Sequence, residues 1–234
     1  MKDQRIKKII ITILCVLLLC SSILACELKN KKNTVTIKKI LVVIAPENFY
    51  TDELFFVIQE FGKNGIAFDI VSTKNGLING MYFDPTFVKN NPSEGYVIVK
   101  NLIKVEKIIK EINPSDYDAI AITGGAGAIQ YLWEDKELHS LIQKFNNQKK
   151  IIAAICAGPI VLAKAGVLKG IKATCPIDDL KNGGSIGMTF ADELTKNGAI
   201  FVNENIIVDG RFVTANGPLS SQEYGYKIVE LLNN

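Results

Sequence analysis

The stretch "IIAAICAGPIV", residues 151–161, sets Cys156 between an apolar run and a turn of small residues. A cysteine so placed is a candidate nucleophile, because a turn can hold the thiol clear of the core and the thiolate is its reactive form. A Cys–His pair of the protease kind needs an imidazole base. The chain has a single histidine, His139, with nothing near Cys156 in sequence to serve instead. Activation must then come from the turn itself. Ala157 and Gly158 let the chain reverse sharply, and Pro159 suits the first turn of a following helix, where its missing N–H costs nothing. A thiol at a helix N-terminus feels the positive end of the dipole, so its pKa is expected to fall. The plain alternative is packing, since free cysteine is among the most buried residue types.

The elements that must position this turn alternate along the chain. "KKILVVIAP" reads as a buried strand. "TDELFFVIQEFGKNG" reads as a helix, with Leu54, Phe55, Ile58 and Phe61 on one face and glycines at its end. "IAFDIVS" is a strand, and the Asn-Gly pairs at 75–76 and 79–80 mark a small hairpin. "LIKVEKIIKEI" reads as a helix stopped by Pro114, "YDAIAIT" as a strand, "GGAGAIQYLW" as a turn and short helix, and "DKELHSLIQKF" as a helix. "KKIIAAI" then leads through Cys156 into the helix "AGPIVLAKAGVL"; short strands and the helix "PLSSQEYGYKIVELL" close the chain. Strands separated by helices predict a doubly wound, mostly parallel sheet with helices on both faces. Ligand sites in such sheets lie at the C-terminal ends of the strands. The turns at Glu47–Glu53, Thr123–Gly127 and Cys156–Pro159 are therefore the places to look.

The first 26 residues read as an address. "MKDQRIKK" is a charged head, and "IIITILCVLLLC" is apolar but shorter than the ~20 residues a membrane-spanning helix needs. "SSILAC" then resembles a bacterial lipobox, which implies cleavage before Cys26 and lipid on its thiol. The expected layout is a signal peptide over 1–25, a polar tether over 26–38 and one domain over 39–234. The expected location is the cell envelope, lipid-anchored and facing outside the cytoplasm. An uncleaved anchor or an ordinary secretory signal is the alternative. Once the signal leaves, Cys156 and Cys175 are the remaining free thiols, too few for a disulfide framework. Removing the four basic residues and one acidic residue of 1–25 leaves 23 of each, so the rest of the chain is neutral. With no basic patch interleaved with aromatics, nucleic acid is not an expected partner.

"ITGGAGA", "KIIAAICAGP", "IKATCP" and "VDGRFVTANGP", with "VVIAPENFYTDEL" near the start, together resemble the ThiJ/PfpI family over roughly residues 39–234. The resemblance implies a flavodoxin-like fold of the class I glutamine-amidotransferase type and a homodimer. It implies that Glu53 stands beside Cys156 as a carboxyl that keeps its proton and donates a hydrogen bond to the thiolate. Glu47 is a weaker candidate for that place. It further implies that N–H groups at Gly125, in the Gly124-Gly125 pair, and at Ala157 stabilise an oxyanion. Against these stand plainer readings. Thr51, Asp52 and Glu53 also suit a helix N-terminus, and Gly124-Gly125 suits a tight turn.

This sequence departs from the family in two places. Cys175 occupies a position where several relatives carry histidine, which offers either a second, resolving thiol or a spacer before Pro176. Ala157 stands where peptidase-like relatives carry histidine, which disfavours Cys–His hydrolysis. His139 is expected at the surface or its boundary, and Trp133, Phe55, Phe56 and Phe61 in the core. No cofactor or metal motif is read. The leading expectation is thiol chemistry on small electrophiles: reactive aldehydes, glycated adducts or peroxide. The alternatives are a redox sensor or chaperone-like binding module and, behind these, an amidase or peptidase.

Overall fold

The computed structural model describes residues 37–177 and 189–234. The expected signal peptide, Cys26 and the tether up to residue 36 lie outside the described residues. The strands are β1 (Lys39–Val43), β2 (Phe49–Tyr50), β3 (Ala67–Ser72), β4 (Gly76–Phe83), β5 (Tyr96–Val105), β6 (Lys107–Ile108), β7 (Ala119–Ile122), β8 (Ile151–Ile155), β9 (Lys172–Ala173), β10 (Ile200–Phe201), β11 (Ile206–Asp209) and β12 (Phe212–Ala215). The α-helices are α1 (Thr51–Lys63), α2 (Lys136–Asn147), α3 (Gly158–Lys164), α4 (Phe190–Lys196) and α5 (Ser221–Asn233).

Among the described residues the main sheet has seven strands in the order β11-β12-β8-β7-β1-β3-β6. Every pairing is parallel except β11 with β12. The central strands "KILVV", "AIAI" and "IIAAI" are almost wholly buried, as apolar runs covered on both faces must be. The fold is thus the mostly parallel, helix-flanked, flavodoxin-like sandwich expected from the alternation. No described helix is long and apolar enough to cross a membrane.

One expected helix is not there. Residues 102–112 form the end of β5, the short β6 and a 3-10 turn over Ile109–Glu111. The reason is pairing: β5 lies antiparallel along the whole of β4, and that ladder takes up the β-branched run before Lys104. The small hairpin foreseen at the Asn-Gly pairs is correspondingly larger. Gly80 does not turn the chain but lies within β4, where a Cβ would stand 2.7 Å from both Leu102 Cδ2 and Thr51 Cγ2.

Three side chains also sit elsewhere than expected. Phe55 and Phe56 are exposed, because α1 buries Glu53, Leu54, Val57 and Phe61 instead. His139 is buried rather than at the surface, and its Nε2 lies 2.9 Å from the Trp133 carbonyl. A carbonyl can only accept, so Nε2 carries the proton. That hydrogen bond offsets the cost of burying the ring.

Candidate functional site

β8 ends at Ile155, and the next residue turns the chain with φ of +60°. A non-glycine residue in that conformation is strained, and such strain persists only where the surroundings enforce it. Here Cys156 N–H donates to the Ala215 carbonyl at 2.9 Å, at the end of the neighbouring β12. On the far side Gly158 opens α3. A Cβ there would meet the Ile122 carbonyl at 2.9 Å, so the helix approaches the sheet only because residue 158 is glycine. Ala157, between the two, is held by its carbonyl, which accepts from the Trp133 indole Nε1–H at 2.9 Å. Trp133 was expected as core packing alone. It is buried, yet it also supplies a buried hydrogen bond that holds the elbow.

The acid arrives from α1. Tyr50 is the N-cap and no side chain caps this helix, so the N-cap part of the plain reading fails, while Asp52 and Glu53 do lie in the first turn as it expected. Glu53 points inward and is fully buried; its Oε2 accepts from Gly124 N–H at 2.7 Å. Gly124 is the junction of the site. A Cβ on it would stand 2.6 Å from Cys156 Cβ, 2.7 Å from Ala157 N and 2.9 Å from Glu53 Oε2. Only a residue without a side chain lets the elbow, the acid and this turn converge. Gly125, with φ of +86°, is pressed against the chain before α1: a Cβ would lie 2.5 Å from the Asn48 carbonyl. Glu47 is used otherwise. Its carboxylate accepts from Lys74 Nζ at 3.0 Å and Tyr131 Oη at 3.3 Å at the surface, and that pairing lowers its pKa.

The electrostatics differ from a thiol simply lowered by a helix end. Burial raises the Glu53 carboxyl to about 7, against the pull of the Gly124 N–H and the Cys156 thiol. Burial and the neighbouring Glu53 also raise the half-buried Cys156 thiol, while the N–H groups of Gly125 and Ala157 pull it down. The expectation of a thiol lowered on its own is therefore corrected. Two acids share one buried place, so the pair gives up its first proton only around pH 7 and its second well above that; above neutral pH it holds one proton and one negative charge. All four expected residues meet here: Cys156, Glu53, Gly125 and Ala157. Cys175 is fully buried, and burial pushes its thiol up to about 12. Among the described residues no group of three or more His, Cys, Asp and Glu side chains is arranged to hold a metal.

The model of the DJ-1/PfpI family matches residues 38–231. The chain belongs to this family. Its similarity to relatives runs nearly end to end. An uncharacterised protein of Methanocaldococcus jannaschii is 36% identical over 221 residues, 94% of this chain and 95% of the relative. The deglycase PfpI of Pyrococcus furiosus is 27% identical over 194 residues, 83% of this chain and 99% of that enzyme. Among solved structures, a ThiJ/PfpI domain protein from Brachyspira murdochii is 27% identical and superposes with a TM-score of 0.65, covering 84% of this chain and 97% of its own. The DJ-1/PfpI fold is thus shared.

Proposed function

We propose that the chain uses Cys156 to attack small reactive carbonyl compounds, such as methylglyoxal-type aldehydes and the adducts they leave on amines. The observation that carries this reading is the pairing of a strained elbow thiol with a buried acid and no free base. His139 is the only histidine in the chain, and it is engaged with the Trp133 carbonyl. The proton must therefore be managed by Glu53. In the reaction the sulfur forms a bond to the carbonyl carbon and the C=O π bond opens onto oxygen. The proton held by the Glu53–Cys156 pair passes to that oxygen, giving a hemithioacetal with atoms and charge conserved. The N–H groups of Gly125 and Ala157 already act on the sulfur, and they offer donors to the developing alkoxide beside it. The deglycase name of the Pyrococcus furiosus relative supports the substrate class.

The test is consumption of methylglyoxal by the wild-type chain and by Cys156→Ser. Turnover should vanish with the thiol. Equal consumption by both proteins would sink the proposal. If neither protein turns the aldehyde over while mild peroxide leaves a stable +32 Da mass on Cys156, the same geometry serves redox sensing instead.

A further inference from the structure

Three buried side-chain oxygens among the described residues have no hydrogen-bond partner: Glu53 Oε1, Ser221 Oγ and Tyr224 Oη. Their residues are 0%, 0% and 1% exposed. Buried polar groups left alone cost stability, so three in one molecule call for a common cause. The fold brings them together. α1 and α5 pack against each other. At Gly225 they touch: a Cβ there would lie 3.4 Å from Val57 Cα and 3.1 Å from Glu60 Cβ. Ser221 stands one turn before Gly225 on α5, and Glu53 one turn before Val57 on α1. Tyr224 is buried on the same side of α5 and interacts electrostatically with Glu53. Its hydroxyl lies against the backbone at Ile122. Ile122 stands two residues before Gly124, whose N–H holds the other oxygen of the same carboxyl.

We propose that Glu53, Ser221 and Tyr224 enclose a site for one ordered water, which ties both hydroxyls to Glu53 Oε1 and fixes the acid against Cys156. A buried water makes about three hydrogen bonds, and three oxygens are on offer. The water donates to Oε1 and accepts from the two hydroxyls. Every donor then faces the negative charge of the Glu53–Cys156 pair and favours its ionised form. Ser221 and Tyr224 act through Glu53 and are positioning residues. The inference deepens the proposed function and rests on its pairing of Glu53 with Cys156. The titratable groups facing Glu53 are Cys156 from the elbow, Tyr224 from α5, Asp52 from its own helix and Tyr50 from the strand before it.

The experiment is the rate of Cys156 alkylation by iodoacetamide against pH, read by mass spectrometry at that residue. Wild type, Tyr224→Phe, Ser221→Ala and Glu53→Gln are compared, each with its Tm. Both hydroxyl variants should move the midpoint upward by about half a pH unit or more, a shift merely structural packing would not produce. An unmoved midpoint, with Tm raised because a lone hydroxyl has left a dry core, overturns the water site. A midpoint that also ignores Glu53→Gln overturns the pairing and the water site together, so the two failures are told apart. Should Tyr224→Phe fail to fold, Ser221→Ala decides alone. A crystal structure gives the independent check: density within hydrogen-bond distance of all three oxygens is expected, and an empty space there refutes the site.

Discussion

Cys156 and Cys175 are free thiols on one fold, and burial raises the pKa of both. They differ in everything around them. Cys156 is half-buried, holds a φ of +60°, and meets two backbone N–H groups and a carboxyl. Cys175 is fully buried, and burial alone accounts for its shift. The contrast teaches that residue type and burial do not by themselves set a thiol's surroundings. What matters is whether the backbone is bent to present polar groups to the sulfur.

The sharpest way to break this contrast is to alkylate the folded protein. Iodoacetamide near neutral pH should modify Cys156 at least about a thousandfold faster than Cys175, which reacts only when its surroundings open. Site-resolved mass spectrometry measures both rates, and comparable rates would erase the distinction.

The second test concerns the buried acid. The folded chain keeps a proton on Glu53 up to pH about 7, whereas an ordinary carboxyl releases it near 4.5. The folded state thus binds more protons in that window. The contribution of this group is greatest below pH 4.5 and is lost as the pH climbs to 7, by roughly 3 kcal/mol for a shift of this size. Glu53→Gln should remove this decline. Denaturant unfolding at pH 5 and pH 7.5 should show the variant gaining on wild type at the higher pH. A constant difference between the two would mean that Glu53 carries no raised pKa.

The smallest expected effect lies behind the elbow. Trp133→Phe keeps an aromatic ring beside Phe190 but removes the indole N–H from the Ala157 carbonyl. Losing that buried hydrogen bond should cost about 0.5–1.5 kcal/mol of stability. It should also slow alkylation at Cys156 while leaving Cys175 unchanged. Lost stability with an unaltered Cys156 rate would make Trp133 a packing residue and nothing more.

Much of this was legible in the chain. Apolar runs such as "KILVV" and "IIAAI" can satisfy both their side chains and their backbone only as buried parallel strands, so the sheet and its edge of turns followed from pattern alone. Small residues after Cys156 gave away the elbow for a similar reason, since little else tolerates so sharp a reversal. Residues 102–112 depart from the expected helix because their apolar spacing fits a helix as well as a strand. The partner β4, which decides between them, lies far away along the chain.

By itself, then, the sequence determined the alternation of elements, the turn that carries Cys156 and the absence of any histidine but His139 to serve it. Only the tertiary structure decided which carboxyl, Glu53 rather than Glu47, meets the thiol, that Trp133 clamps Ala157, and that three buried side-chain oxygens are left without partners among the described residues. The physical reason is range. Backbone pattern is set by neighbours a few residues apart, whereas charge, burial and hydrogen bonding depend on residues that folding alone brings within a few ångströms of one another.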